Sequence, residues 1–300
     1  MGIFSKWVES LDYEYEILSS CTRHKSPRST CTNCVDACEV DAIVWKKGLP
    51  IINHKKCNEC GECIASCSVQ AIAGIFPKRN FLQNKLVAEN HSVPSVKELL
   101  VYAKKGIKGI VSDNVLSDKW KQTLEEANEV LITLNENPLH VFEKQSEPVH
   151  ETYTRRELFF SWKQDTHILM KEMAPAKWRF NQNDLELSQY YPNHQFAEIH
   201  LDSSKCTLCK ACQILCEKKC LKISDTGFEI SSQACSNCRL CEDICPEKAI
   251  TVVEKVSPHQ EIKHNFHTNK CITCGHTFDA LQESKQKCVP CEKKSRFTIS

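Results

Sequence analysis

Apolar residues between positions 84 and 142 alternate between short continuous runs and helical spacing. The short runs, which predict strands, are Lys85–Glu89, Ile107–Val111 and Leu139–Phe142. The helical spacing predicts one helix over Pro94–Lys105, ended by Gly106, and a second helix capped by Ser117. The apolar face of the second helix consists of Trp120, Leu124, Ala127, Leu131 and Leu134. This β-α-β-α-β order predicts a small parallel sheet.

Two further stretches predict amphipathic helices on either side of this region. The N-terminal stretch has an apolar stripe that consists of Ile3, Phe4, Trp7, Val8 and Leu11. We interpret this stripe as packing on the adjoining domain, with a docking helix for a partner enzyme as the alternative. The second stretch, Glu151–Met173, has an apolar face formed by Leu158, Phe159, Trp162 and Ile168, which is typical of a core contact.

Two pairs of short apolar runs, each separated by a turn that contains glycine, predict β-hairpins. In the first pair, Ala42–Trp45 and Leu49–Ile52 flank a turn at Gly48. In the second pair, Leu221–Ser224 and Phe228–Ile230 flank a turn at Gly227. Each predicted hairpin lies between two groups of cysteines, so its role depends on what those cysteines bind.

Cysteine accounts for 21 of the 300 residues and is confined to residues 21–67, 206–245 and 271–291. Such usage indicates either a disulfide framework in a secreted protein or metal ligation in a reducing compartment. The N-terminus lacks the apolar run and cleavage site of a secretory signal, and no stretch approaches the ~20 apolar residues that cross a bilayer. We therefore expect a cytoplasmic protein whose cysteines bind metal and which has no membrane span.

The block at 206–245 contains two complete C-x2-C-x2-C-x3-C runs. The first run is Cys206, Cys209, Cys212 and Cys216; the second is Cys235, Cys238, Cys241 and Cys245, followed by Pro246. This spacing resembles bacterial ferredoxins with two [4Fe–4S] clusters, in which the fourth cysteine of each run binds the other cluster. The resemblance implies one cluster on Cys206, Cys209, Cys212 and Cys245. It implies a second cluster on Cys235, Cys238, Cys241 and Cys216.

The block at 21–67 follows the same plan with one departure. Its second run, Cys57, Cys60, Cys63 and Cys67, is complete, whereas Cys31, Cys34 and Cys38 supply only the last three positions of the first. We interpret Cys21 as the missing first position, with the polar segment Thr22–Thr30 looped out. The resemblance then implies one cluster on Cys21, Cys31, Cys34 and Cys67, and another on Cys57, Cys60, Cys63 and Cys38. If Cys21 is not a ligand, the first of these clusters is a three-iron form.

One cysteine, Cys220, falls outside these runs. It occupies the position that Ala42, Ala71 and Ala249 hold after the fourth cysteine of the other three runs. Because a free cysteine packs as a small apolar side chain, we interpret Cys220 as a core residue and not a ligand.

The C-terminal tail carries two C-x2-C pairs separated by 13 residues, which are Cys271 with Cys274 and Cys288 with Cys291. These pairs resemble a zinc ribbon, in which two knuckles give four thiolates in tetrahedral coordination. A rubredoxin-type iron site uses similar knuckles and is the alternative. We expect a structural role for either metal.

The charge balance of 39 Lys and Arg against 38 Asp and Glu gives a net charge of +1. This argues against nucleic acid as the main partner, because phosphate binding needs a concentrated basic surface. The chain has 8 glycines and no G-x-G-x-x-G after the predicted strands, so the usual mark of a nucleotide or flavin site is missing.

These observations predict an α+β protein in which two dicluster ferredoxin-like domains flank a small α/β domain, followed by a zinc-ribbon-like tail. The predicted segments are a ferredoxin domain at 1–80, an α/β domain at 81–148, a helical linker at 149–198, a second ferredoxin domain at 199–256 and the tail at 257–300. We expect an electron carrier rather than an enzyme, relaying single electrons to or from a dehydrogenase, reductase or hydrogenase. The alternatives are a redox enzyme that binds flavin or substrate in the middle domain, and a redox-sensing or assembly factor.

Overall fold

The structure, a computed structural model, describes residues 15–74, 76–77, 79–89, 93–112, 115–143 and 185–297. The predicted apolar stripe at 3–11 and the predicted helix at 151–173 lie outside these residues. The chain forms two compact units, one from residues 1–21 and 32–186 and the other from residues 22–31 and 187–300. Within the described ranges, no helix combines the length and the apolar character needed to cross a membrane.

Residues 15–74 form small elements around the first cysteine block. They are β1 Glu16–Ile17, α1 Thr22–Lys25, α2 Asn33–Asp36, β2 Ile43–Lys46, β3 Leu49–Ile52, α3 Glu62–Ser66 and β4 Ile72–Ala73. Strands β2 and β3 form the predicted antiparallel hairpin, and Gly48 takes the positive φ of 79° that its turn requires. The predicted loop at 22–30 begins instead as helix α1, and residues 22–31 pack with the second unit.

The middle region forms the predicted parallel sheet with one additional strand. Its elements are β5 Phe81–Leu82, β6 Lys85–Val87, α4 Val96–Lys104, β7 Gly109–Ser112, α5 Asp118–Thr133 and β8 His140–Glu143. Strands β6, β7 and β8 are parallel, and β5 adds antiparallel to β6 at the edge. The pattern missed β5 because two residues are too short to show a periodicity.

The two helices of this sheet begin where the side chains can satisfy free backbone N–H groups. The Ser95 hydroxyl accepts from the N–H of Glu98 while the Glu98 carboxylate accepts from the N–H of Ser95, which is a complete capping box. The Ser117 hydroxyl likewise accepts from the N–H of Trp120. The predicted apolar face of α5 is buried along its whole length, which confirms the helical spacing.

A buried ion pair joins the α/β sheet to the first cysteine block. The guanidinium of Arg79 donates to both carboxylate oxygens of Glu98 at 3.0 and 3.1 Å, and its Nη1 lies 3.4 Å from the carboxylate of Glu62. The Glu98 side chain is fully buried and that of Arg79 is 4% exposed. Burial alone would lower the pKa of Arg79, but the neighbouring Glu98 carboxylate raises it above its ordinary value. Glu62 lies in helix α3 beside Cys63, so the pair connects α4 to the cysteine loop.

The second unit contains the other ferredoxin-like block and the tail. Its elements are α6 Leu187–Tyr190, β9 His194–Leu201, α7 Ala211–Leu215, β10 Leu221–Ile223, β11 Gly227–Ser231, α8 Leu240–Ile244, β12 Ile250–Pro258, β13 Glu261–Asn265, β14 His267–Lys270, β15 Thr277–Ala280 and α9 Val289–Phe297. The predicted hairpin is formed by β10 and β11.

Two pairings in this unit cross the segment boundaries that the sequence suggests. Strand β9 begins inside the predicted helical linker and pairs antiparallel with β12 on the far side of both cysteine runs. Strand β13, from the predicted tail, pairs antiparallel with β11 and makes a three-stranded sheet. The tail also places Leu281 in the apolar cluster that contains Phe228 and Val252. The tail and the second cysteine block therefore share one core.

We predict that Arg79→Met destabilises the region around α4, because it leaves the buried Glu98 carboxylate without its cation. Removing one partner of a buried pair costs about 3–5 kcal/mol, so exchange of the α4 amide hydrogens should accelerate roughly a hundredfold or more. The matched control is Lys104→Met, which breaks the exposed Lys104–Glu136 pair, for which about 0–1 kcal/mol is expected. Hydrogen exchange measured by mass spectrometry checks both, and equal protection in the two variants would contradict the prediction.

Candidate metal centres

The structure gathers four cysteines of the second block around one cavity. Its lining includes Cys206, Cys209, Cys212 and Cys245, together with the apolar side chains of Ile223 and Ile250. Three of these cysteines come from the first run and the fourth closes the second run. Strand β12 begins at Ile250, five residues after Cys245, so its pairing with β9 helps to bring that cysteine back to the first run.

The remaining cysteines of the block form a second group. Burial, followed by the charges of Cys235 and Cys216 among others, raises the pKa of Cys238. Burial also raises the pKa of Cys241, with the charges of Cys238, Cys235 and Cys216 adding to the effect. These thiols are therefore electrostatic neighbours, and Cys216 joins them from the other run.

The first block shows a corresponding group in the first unit. Burial, then the charges of Cys60, Cys34, Cys57 and Cys38, raises the pKa of Cys63 to about 12. Burial raises the pKa of Cys60, and the charges of Glu62, Cys38 and Cys57 add to this rise. The group thus contains the three leading cysteines of the second run together with Cys34 and Cys38 from the first run.

The last predicted set, Cys21, Cys31, Cys34 and Cys67, divides between the two units. Cys21, Cys34 and Cys67 belong to the first unit, and Cys31 ends the segment that packs with the second. Cys21 itself is buried, with 9% of its surface exposed. This ligand set remains a prediction from the sequence.

The backbone of the cysteine loops is held in left-handed conformations that non-glycine residues seldom adopt. Nine of the twelve described non-glycine residues with positive φ lie within or just after the four runs: Asp41, Glu59, Gln70, Leu208, Lys210, Lys219, Asn237, Arg239 and Lys248. The same positions recur, because the residue after the second cysteine is left-handed at Gly61, Lys210 and Arg239. Strain of this kind persists only where the surroundings impose it, and it marks the loops as functional candidates.

The incomplete run departs from this pattern at one residue. Thr32 follows Cys31 at the equivalent position, but its φ is −128°. Helix α2 nevertheless begins two residues after Cys31, as α3, α7 and α8 do after the second cysteine of their runs. The chain enters Cys31 from the inserted segment and not from a C-x2-C loop, which accounts for the different backbone.

A backbone hydrogen bond to sulfur repeats after the fourth cysteine of the runs. The N–H of the residue four positions later donates to the sulfur at 3.2 Å in three runs, from Ala42 to Cys38, from Ala71 to Cys67 and from Ala249 to Cys245. In the fourth run, hydrogen bonding from the Cys220 thiol and then from its backbone N–H lowers the pKa of Cys216 to about 6. Such donors stabilise negative charge on sulfur.

The chemistry of these thiol groups fits a bound metal cluster. Burial raises the pKa of Cys212 to about 12, with further increases from the charges of Cys206 and Cys209. Crowded, buried thiols resist ionisation by themselves, whereas thiolates are the ligands that iron–sulfur clusters require. The cavity lined by Cys206, Cys209, Cys212 and Cys245, with the N–H of Ala249 donating to the Cys245 sulfur, offers a set of sulfur ligands for an iron–sulfur cluster.

Cys220 lies where the sequence places it, in the apolar core. It is 3% exposed and packs with Leu221 and Ile230, and the equivalent alanines are 1–3% exposed. Interaction with the thiols of Cys216 and Cys235 raises its own pKa strongly, and its thiol donates to the carbonyl of Lys218 at 3.8 Å. Cys216 and Cys235 both pack against the apolar cluster that contains Cys220.

Two contacts that position the cysteine loops were not predicted from the sequence. The hydroxyl of Tyr15 donates to the carbonyl of Glu59 at 2.8 Å, which ties β1 to the loop between Cys57 and Cys60. The side chains of Asn33 and Ser66 exchange hydrogen bonds with each other's carbonyls at 3.4 and 3.3 Å. Both contacts join residues 33 or more positions apart, so no local sequence pattern indicates them.

The tail brings its four cysteines into a single site. The sulfurs of Cys271, Cys274, Cys288 and Cys291 lie within 4.8 Å of one another. The sulfurs of Cys274 and Cys288 are 3.7 Å apart, close to the spacing of about 3.8 Å that tetrahedral coordination with Zn–S bonds of about 2.3 Å gives. The described side chains fit a tetrahedral metal ion.

Backbone N–H groups at this site stabilise the thiolate form of two of its cysteines. The N–H of Cys288 donates to the Cys271 sulfur at 3.4 Å, and this contact is the main cause that lowers the pKa of Cys271 to about 5. The backbone N–H of His276 likewise lowers the pKa of Cys274. Gly275 takes a φ of 75° directly after Cys274, which lets the chain turn sharply enough for this contact.

Comparison with known proteins finds partial similarity. No protein-family model matches the chain. It is 38% identical over 81 residues to the ferredoxin-type protein NapF of Escherichia coli, which is 25% of this chain and 48% of NapF. It is 32% identical over 62 residues to a ferredoxin of Rickettsia felis, or 18% of this chain and 57% of that protein. A ferredoxin of Methanocaldococcus jannaschii is 44% identical over 39 residues, or 13% and 26%. The chain spans about half the length of NapF, so the similarity to ferredoxin-type proteins is regional.

We predict that Cys220→Ala leaves the iron content unchanged, because alanine fills the equivalent buried position in the other three repeats. The matched variant Cys216→Ser should lose about one cluster's iron, since it removes a sulfur of the second group. Iron and sulfide analysis of both variants, purified without oxygen, checks this. Loss of iron in Cys220→Ala equal to that in Cys216→Ser would show that Cys220 is a ligand.

We predict that Cys274→Ser removes the metal of the tail, because a hydroxyl does not replace a thiolate in a four-thiolate site. The expected change is about one Zn per chain, measured by elemental analysis of the purified protein. The control is Ser284→Ala, an exposed position in the loop between the two knuckles. A Cys274→Ser protein that keeps its zinc contradicts the prediction, and a wild-type tail that holds iron instead favours the rubredoxin-type alternative.

Proposed function

We propose that this chain is an iron–sulfur electron-transfer protein that binds four [4Fe–4S] clusters. The observation that carries the proposal is the cavity lined by Cys206, Cys209, Cys212 and Cys245. It joins three cysteines of one run to the last cysteine of the other, which is the crossed pattern of two-cluster ferredoxins. The regional similarity to ferredoxin-type proteins supports the same conclusion.

The proposed ligands follow the crossed pattern of two-cluster ferredoxins. One cluster takes Cys206, Cys209, Cys212 and Cys245, a second takes Cys235, Cys238, Cys241 and Cys216, and a third takes Cys57, Cys60, Cys63 and Cys38. The fourth, on Cys21, Cys31, Cys34 and Cys67, rests on the sequence pattern alone. The tail holds one structural zinc on Cys271, Cys274, Cys288 and Cys291.

The bound clusters would supply one-electron redox chemistry, and the protein controls it through its own groups. The backbone N–H donors to Cys38, Cys67 and Cys245 favour added negative charge at those sulfurs, which raises the reduction potential. The cysteines differ in their access to water, because Cys63 and Cys212 are buried whereas Cys60 and Cys209 are exposed. The left-handed backbone positions hold the loops in one geometry, so that little rearrangement accompanies a change of charge.

The proposed partners are redox proteins such as a dehydrogenase, reductase or hydrogenase. With a net charge of +1 the chain lacks the basic excess of a nucleic-acid-binding protein, and we propose none as a partner. We place its action in the cytoplasm, where thiols remain available as metal ligands. The α/β sheet, tied to the first cysteine block through Arg79, serves in this proposal as a spacer and docking domain.

The proposal predicts about sixteen iron atoms, sixteen sulfides and one zinc per chain in protein purified without oxygen. Reduction should give S = ½ EPR signals that are coupled between neighbouring clusters. About eight iron atoms, or a three-iron signal in the oxidised state, would remove one or more of the four clusters. A flavin absorbance would favour the redox-enzyme alternative, and a protein without iron would refute the proposal.

A further inference from the structure

The C-terminal four-cysteine site lies beside one particular cluster site of the second unit. A cavity between them is lined by Ser204, Lys205 and Thr207 on either side of Cys206 and by Glu247, two residues after Cys245. Its other wall comes from Lys285, Val289, Glu292 and Lys293 of the tail. Cys206 and Cys245 are both assigned to the same cluster. The tail therefore approaches two of the four sulfurs of one site.

Direct contacts fasten the tail in this position. The ammonium of Lys293 in helix α9 lies 3.5 Å from the carboxylate of Glu247. Leu281 is buried in the apolar cluster of the second block, against which Cys206 also packs. Strand β13 extends the sheet of β10 and β11. Three separate contacts, at β13, Leu281 and Lys293, thus hold the described part of the tail to the block.

Lys285 is the tail residue whose charge is least exposed to solvent in this cavity. Its side chain is 16% exposed, whereas those of Lys205 and Lys293 are 58% and 53% exposed. Its ammonium lies 3.7 Å from the Glu292 carboxylate. The lysines and glutamates of the cavity together carry a net charge of +1. Water screens the two exposed lysines more strongly, so the charge of Lys285 acts most directly on the nearby sulfurs.

Lys285 lines the same cavity as Ser204, Lys205 and Thr207, the residues on either side of Cys206. Its ammonium group therefore lies at the edge of the cluster site that contains Cys206. A nearby positive charge favours any form of such a site that carries more negative charge. Reduction of a cluster by one electron adds such a negative charge.

The position of Lys285 depends on the four-cysteine site. The loop that carries it runs between the two C-x2-C knuckles, which the metal would join. The N–H of Ile272 in the first knuckle donates to the carbonyl of Gln286, next to Lys285, at 3.0 Å. The second knuckle begins at Cys288 and leads into helix α9. Metal binding by the tail would therefore close the loop that presents the ammonium group.

We propose that the C-terminal metal site holds Lys285 beside the loop that carries Cys206 and thereby raises the reduction potential of the cluster on Cys206, Cys209, Cys212 and Cys245. This inference rests on the proposed function and goes beyond it, because it gives the tail a redox role. Lys285 acts as an electrostatic positioning residue and is not a ligand.

The test is a redox titration of the reduced EPR signals in the full-length Lys285→Gln variant, with the wild type and Lys285→Arg alongside. At a fixed applied potential near its midpoint, one cluster should show about a tenfold lower ratio of reduced to oxidised form, which is 59 mV for one electron. The other clusters should be unchanged, and Lys285→Arg should restore the wild-type value because it keeps the charge. The matched control is Lys263→Gln, an exposed lysine of β13 that does not line the cavity.

A second variant separates the position of Lys285 from its charge. Cys274→Ser, which removes the tail metal, should lower the potential of the same cluster while the iron content stays at the wild-type level. If all potentials are unchanged in Lys285→Gln while the clusters are present, the inference is wrong and the proposed function stands. If the wild type contains no iron, the proposed function itself is wrong. If Cys274→Ser does not fold, Lys285→Gln and Lys285→Arg still decide the matter.

Discussion

The crowding of cysteine sulfurs is the constraint on which the rest of this molecule depends. Several thiols share each site, and burial together with the charges of neighbouring cysteines disfavours the ionisation of some of them, as the raised pKa of Cys63 shows. Metal binding reverses this balance, because it needs the thiolates and compensates their charge. The surrounding strands are two to nine residues long, too short to form large cores of their own. In a protein of this kind, ligand binding and folding share one source of stability.

The two units support their small cysteine-containing cores by different kinds of contact. In the first unit, the cysteine block is braced by an α/β sheet through the buried Arg79–Glu98 pair. In the second unit, the bracing comes from strand β13 and from Leu281 of the tail, which enters the same apolar cluster as Phe228. A polar, buried bridge is demanding in geometry, since each partner depends on the other. An apolar contact tolerates small shifts.

Much of the local structure follows from the order of residues along the chain. The helices α4 and α5, the three parallel strands and both hairpins follow from periodicity, capping residues and turn chemistry, all of which act within about ten residues. The pairing of β9 with β12 and of β13 with β11 joins distant residues, and no local signal specifies it. The same holds for the contact of Tyr15 with Glu59. A grouping of the cysteines could be predicted, because the spacing of the two runs suggests which cysteines of separate runs come together. The packing of the insertion at 22–31 could not be predicted, because its short polar sequence does not show which part of the chain it contacts.

The hydrogen bonds from main-chain N–H groups to the closing cysteines have a consequence for how this protein tolerates mutation. Every amino acid except proline carries the same N–H donor, so substitutions at Ala42, Ala71 and Ala249 leave that donor in place. The presence of Cys220 at the fourth such position illustrates this freedom. The main chain therefore stabilises negative charge on these sulfurs whatever side chain the donor residue carries. An alanine scan, which changes only side chains, would not detect this stabilisation. The side chain at such a buried position can differ, as alanine and cysteine do here, while the main-chain donor stays the same.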